Sequence, residues 1–248
     1  MQDNLSLPLL SSYAQRNQLI CDRIGQLANG GKCLQILEAG CGQEWQLDLV
    51  GVDFLLTGVD LDGDALQIRK RNFDDMDQII EGDLRTVDLP DSSFDVIYNA
   101  YVLEHVAGAN LVMENFANWL RPNGIIILEI PDPYSAKGFI TRITPHWFHV
   151  FFYRNILGLK WAGKPGHAPY PTLFDPIVSR RGVRDFCESK GLSIIAEYGN
   201  GLYVPGRGFK RFMLRACTRL VAMLSMGSLS DKHSDLLYII QRKPISYL

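Results

Sequence analysis

Two glycines and two carboxylates sit at spacings that could serve one ligand. In the stretch ILEAGCGQEW, an apolar run ends in Glu38, and Gly40 and Gly42 follow. Without a Cβ, both permit a tight turn and a close backbone approach to a ligand. Asp60 ends the run LLTGVD, twenty residues past Gly40. An ionised carboxylate only accepts hydrogen bonds, so Asp60 suits the two hydroxyls of a ribose. Asp83 ends DQIIEGD and could accept from an adenine amine. The array reads as a site for an adenosine-containing ligand.

The elements that must carry these residues are short and regular. Residues 12–28 have apolar positions at helical spacing, and Asn29-Gly30-Gly31 stops them. CLQILEAG, LLTGVDLD, DQIIEGD, SFDVIYNA and IIILEI read as five strands. Helices are expected over Asp64–Arg71 and roughly 108–120, with Arg121-Pro122-Asn123-Gly124 as a turn. Residues 131–178, rich in Pro, Trp, Phe, Tyr and His, interrupt the rhythm. An interruption far longer than the usual loop of about 4–6 residues suggests a lid or substrate insertion. A helix from Ser179 to Gly191, a sixth strand LSIIAEYG, a helix over 207–226 and a seventh strand DLLYIIQRK follow.

Apolar strands alternating with helices predict an α/β fold: a Rossmann-like, seven-stranded, mostly parallel sheet with helices on both faces. The expected division is 1–130 for the N-terminal helices and ligand-binding half, 131–178 for the lid, and 179–248 for the rest of the same domain.

Composition narrows the classes. Lys plus Arg number 25 and Asp plus Glu 27, a formal net charge of −2, which is not the field of a general nucleic-acid binder. Five cysteines without a CxxC pair argue against a disulfide framework or cysteine zinc site, and a reducing cytoplasm is the expectation. The first residues lack a basic segment before an apolar core, and no run of about 18 apolar residues exists to span a bilayer.

Gly-x-Gly and Asp60 suit either a dinucleotide or S-adenosylmethionine. A dinucleotide fingerprint needs a third glycine beside a helix N-terminus for its pyrophosphate. Here Trp45 holds the third glycine position, and Glu44 would place negative charge near the phosphates. S-adenosylmethionine carries no phosphate, and its sulfonium is positive. This disfavours a nicotinamide oxidoreductase.

Six motifs in order then resemble the class I S-adenosylmethionine-dependent methyltransferases, in the small-molecule, type 11 or quinone-biosynthesis-like group. They are Glu38-Ala39-Gly40-Cys41-Gly42, Gly58-Val59-Asp60, Gly82-Asp83-Leu84, Phe94-Asp95-Val96-Ile97, Leu103-Glu104-His105-Val106 and Leu120-Arg121-Pro122-Asn123-Gly124. Two departures are Glu44 and Asn123, each at a usual glycine position. The resemblance implies that Glu38 and the Gly40-Cys41-Gly42 backbone contact the methionine moiety and Asp60 the ribose. It places Leu61, Asp83 and Leu84 at the adenine and Asn99 at the sulfonium end. S-adenosylhomocysteine would be the product. In related phosphoethanolamine methyltransferases a histidine near the position of His105 pairs with an N-terminal tyrosine, so His105 and Tyr13 are the candidate base pair; the simpler reading of His105 is a packing residue.

Tyr101, His146, Trp147 and His149 are candidates to meet the substrate. His146, His149 and His167 lack a recognisable metal spacing, so no metal is expected. Residues lacking Asn-Pro-Pro-Tyr after the fourth strand weigh against nucleobase or glutamine targets. The expected reaction is methyl transfer to an oxygen or nitrogen of a small molecule. Alternatives are a carbon acceptor on a quinone-like or lipid-like ring, or a catalytically silent methyltransferase-like subunit. Arg207, Arg211, Arg215 and Arg219, four apart, could dock the 207–226 helix weakly on an anionic membrane surface. A solvated face on a packed helix is the simpler reading.

Overall fold

The computed structural model describes residues 7–164, 167, 169–173, 175–201 and 209–243, with backbone alone for 209–211. The strands are β1 (Leu9–Leu10), β2 (Leu34–Ala39), β3 (Phe54–Asp60), β4 (Gln78–Glu81), β5 (Phe94–Ala100), β6 (Leu120–Pro131), β7 (Leu192–Asn200) and β8 (Asp235–Arg242). They form one sheet in the order β1-β7-β8-β6-β5-β2-β3-β4. Only β8 runs antiparallel, wedged between β6 and β7. All seven expected strands are present. The addition is β1, two residues that pair with Gly199 and Asn200 at the sheet edge. Sequence order reverses direction between β2 and β5, so their carboxyl ends open a crevice.

Helices α1 (Tyr13–Leu27), α2 (Gly63–Asn72), α3 (Ala109–Trp119) and α6 (Arg180–Ser189) cover the sheet. Ile20 and Ile24 of α1 and Leu66 of α2 pack on one face with Ile36, Leu56 and Val96. Val112, Met113 and Phe116 of α3 pack on the other with Val183 and Phe186 of α6. Local chemistry sets the helix starts. The side chains of Ser12, Asp62 and Ser179 each accept a hydrogen bond from the third residue beyond, satisfying an otherwise orphan N–H.

Two connections depart from the simple alternation. First, no helix forms between β2 and β3. Residues 40–53 cross as a loop whose Leu47 and Leu49 are buried in the α1 face of the core. Second, Arg121–Gly124 is not a turn that separates a helix from a strand. It is an irregularity inside β6: Leu120 pairs with Phe94, and the ladder resumes with Ile125 opposite Val96. Asn123 takes φ +66° there, a left-handed conformation that asparagine tolerates.

Beyond β6 the chain forms α4 (Ala136–Ile143) and α5 (His146–Phe151), followed by a short π-helical turn at Phe152–Ile156. It then returns irregularly to α6. The basic helix is α7 (Phe209–Leu224), which lies against α4. Arg207 lies outside the described residues, and of Arg211 only the backbone is described. Among the described residues no helix is long and apolar enough to cross a membrane.

Candidate functional site

Gly40 follows β2 with φ +75°, and a Cβ there would lie 2.3 Å from Cγ2 of Val102. Gly42 follows at φ +56°. The three N–H groups of this loop are all satisfied within the protein. Gly40 and Cys41 donate to the carbonyl of Val59, and Gly42 donates to Oδ2 of Asp60 at 2.8 Å. The other Asp60 oxygen accepts from Asp62 N at 2.9 Å. Asp60 therefore clamps the glycine loop to the end of β3 and the start of α2. The N–H groups of Gly40, Cys41 and Gly42 are thus spent within the protein, and no helix begins after the loop.

A cavity of about 180 Å³ opens here, lined by Glu38, the Gly40–Gly42 loop, Glu44, Gln46 and Tyr98. Burial pushes the Glu38 carboxyl up to about 8, against the pull of Arg69. Arg69 of α2 is completely buried. It donates to Glu38 at 2.6 Å, to the Cys41 carbonyl at 3.0 Å and to Asp75 at 2.9 Å. The Cys41 thiol faces the core, and burial pushes it up to about 12. Tyr98 stacks edge-on against Trp45, at 5.7 Å between ring centres. Arg16 of α1 donates to the Tyr98 hydroxyl and to both oxygens of Glu129. Asn99 is fully buried and donates to the Ala39 carbonyl at 2.8 Å, while its own Oδ1 is buried with no partner.

Further along the crevice, Leu61 is exposed and Leu84 is buried. Asp83 is held by Arg85 at 2.5 Å, and these contacts pull its carboxyl below the usual range. His105 lies in a single 3₁₀ turn, Leu103–His105, outside the lining of this cavity. Its Nδ1 is 2.7 Å from the carbonyl of Pro171. A carbonyl only accepts, so Nδ1 carries the proton and Nε2 the lone pair. Burial holds the ring below its ordinary value, and the Pro171 carbonyl opposes that. The tyrosine stacked on His105 is Tyr170, at 5.6 Å. Tyr13, at the start of α1, is exposed and coupled electrostatically to Tyr101, which takes φ +57° after β5.

Glu104 was not singled out by residue type, yet its carboxyl is buried and Oε2 has no partner. Burial, helped by Asp235, pushes it up to about 8. The returning chain is tied to this turn, since Leu173 N donates to the Glu104 carbonyl at 2.8 Å. Arg16, Arg69 and Asp235 were missed in the same way. His146 and His149 do share one face of α5, with ring centres 6.4 Å apart. Nε2 of His149 meets the Thr144 hydroxyl at 2.6 Å, and Trp147 is exposed. Among the described residues no group of three His, Cys, Asp or Glu is placed to hold a metal. A larger cavity, about 350 Å³, lies elsewhere, between Tyr134 and Arg142 on one side and Arg181 and Asp185 on the other. It holds none of the loop residues.

Strand order, glycine loop and acidic strand ends together define the class I, S-adenosylmethionine-dependent methyltransferase fold. Residues 37–128 match the family profile described as a methyltransferase domain. A protein of Mycolicibacterium smegmatis, named a probable S-adenosylmethionine-dependent methyltransferase, is 32% identical over 140 residues, 55% of this chain and 52% of that protein. This chain thus spans about half the length of the curated relatives it matches. Among solved structures, a SAM-dependent methyltransferase of Archaeoglobus fulgidus aligns over 91% of this chain and 94% of its own, with TM-score 0.53 and 16% identity. A putative sarcosine dimethylglycine methyltransferase of Galdieria sulphuraria covers 93% of this chain and 86% of its own, at TM-score 0.55 and 12% identity. At such identities the likeness is one of fold.

Proposed function

We propose that the protein transfers a methyl group from S-adenosylmethionine to an oxygen or nitrogen of a small molecule. The observation that carries this is the closed hydrogen bonding of the glycine loop. Gly40, Cys41 and Gly42 spend their N–H groups on Val59 and Asp60, and no helix N-terminus follows. A pyrophosphate needs such donors; a sulfonium cofactor does not. The acid-lined cavity suits a cation, with Glu38 and Glu44 in its lining as the groups that an ammonium would meet; Asn99 would lie at the sulfonium end. Asp60 would hold the ribose, with Leu61, Asp83 and Leu84 about the adenine.

When bound, this cofactor supplies an electrophilic methyl on a charged leaving group. The protein's share is then positioning, exclusion of water and, for a protonated acceptor, a base. His105 is the assigned base. Its Nδ1 proton is fixed by Pro171, and its lowered affinity for a second proton keeps Nε2 free at neutral pH. Residues 131–178 serve as the lid, and the Leu173–Glu104 and Pro171–His105 bonds tie them to the turn that carries the base.

Calorimetry tests the reading. Asp60→Ala should bind S-adenosylmethionine at least about tenfold more weakly, because each charge-assisted bond is worth roughly 1.5–3 kcal/mol. Tighter binding of NAD than of S-adenosylmethionine by the wild type would reject it.

A further inference from the structure

The geometry points to α7 and the adjoining α4–α5 segment as a docking face for an anionic lipid surface. Helix α7 is apolar on two sides. Leu214, Thr218, Val221 and Ala222 form its packed side, and α4 is its neighbour. On the opposite side Ala216, Leu220, Met223 and Leu224 follow at helical spacing, all exposed, with Met223 76% and Leu224 74% accessible. Met226, just past the helix, is 94% accessible. A helix apolar all round is normally buried. Here Leu220, Met223 and Leu224 stay more than half exposed.

The adjoining α4–α5 segment also exposes large apolar side chains. Ile143, Trp147 and Phe151 recur four apart and are 61%, 69% and 51% accessible. Exposed aromatic and aliphatic side chains in this number mark an interaction surface.

Charge decides among occupants. The sequence of α7, FKRFMLRACTRLVAML, holds Lys210, Arg211, Arg215 and Arg219 and no acidic residue. The whole chain carries −2, so this cationic stretch is a local feature. Arg215 and Arg219 are exposed; Arg219 lies 3.9 Å from Asp231, with both groups accessible. A second copy would set one cationic helix against another. An anionic bilayer accepts both parts: methionines, leucines and a tryptophan enter the acyl boundary while arginines meet head groups.

The test is flotation of the whole protein with vesicles of phosphatidylcholine alone or mixed with phosphatidylglycerol. The wild type should partition at least about tenfold better into the anionic vesicles, and the difference should shrink as salt rises. Arg215→Glu with Arg219→Glu should remove the preference, and Leu220→Ser with Met223→Ser should remove binding to both. Cofactor calorimetry on each variant reports folding separately. Equal partition into the two vesicle types, or no partition by the wild type, would overturn the proposal. So would self-association in sedimentation that the Leu220/Met223 variant abolishes.

Discussion

The cofactor half of this chain and its lid flank treat apolar and charged side chains in opposite ways. Around β2, β3 and α2, Leu34, Ile36, Leu37, Leu56, Val59 and Leu66 are buried, and the buried Arg69 is paired with Glu38. Along α4, α5 and α7, large apolar groups face outward, and Arg219 and Asp231 are both solvent-accessible. In the first region the buried arginine has its partners inside the fold: Arg69 meets Glu38, the Cys41 carbonyl and Asp75. In the second, Ile143, Trp147, Phe151, Leu220 and Met223 each leave more than half of their surface exposed. The difference teaches that the two regions answer to different solvents, one to the protein interior and the other to whatever meets the flank.

Breaking the first region should cost most at its buried cation. Arg69→Met leaves Glu38 buried beside Cys41 without its partner, and removing one member of a buried pair typically costs about 3–5 kcal/mol. Urea unfolding checks this, and the double variant with Glu38→Gln should recover part of the loss. A single-variant loss below about 1 kcal/mol would show that water reaches Glu38. Next comes Gly40→Ala. The new methyl meets Val102 at a positive φ, so about 1–3 kcal/mol is expected from strain, together with weaker S-adenosylmethionine binding by calorimetry.

Glu104 yields a pH signature. Its folded value near 8 lies above the ordinary 4.5, so between those values the folded state keeps a proton that the unfolded chain releases. Its contribution is full below about pH 4.5 and is lost as pH rises through about 8. Glu104→Gln cannot ionise. The stability of wild type minus variant should therefore fall by roughly 1–3 kcal/mol between about pH 5 and about pH 8, with a slope no steeper than about 1.4 kcal/mol per pH unit. A flat difference would place a solvated or paired carboxylate there. The smallest effect is expected on the flank: Met223→Ser should shift stability by no more than about 0.5 kcal/mol. The same change at buried Met113 of α3 should exceed that several-fold. Equal costs would erase the contrast between the two regions.

Much of the fold was legible because strands buried on both faces read as near-continuous apolar runs. IIILEI and DLLYIIQR are such runs, and both are strands. The two-residue β1 is too short to carry any periodicity. The glycine loop and Asp60 were legible because a tight turn at a strand end has a local composition. Arg16 and Arg69 were not. On an amphipathic helix an arginine reads as solvated, and only partners 113 and 31 residues away put these two in the interior. The loop across residues 40–53 was hidden for a related reason. Leu47 and Leu49 pack beside Ile20 and Ile24 of α1, a segment that precedes β2.

By itself, then, the chain determined its strands, its helix starts and the turn at Gly40, since these depend on residues within a few positions of one another. Tertiary structure alone decided that Arg69 is buried against Glu38, that Pro171 sets the tautomer of His105, and that Leu220, Met223 and Leu224 of α7 are exposed. Burial is a sum over contacts from distant parts of the chain, and no local pattern contains that sum.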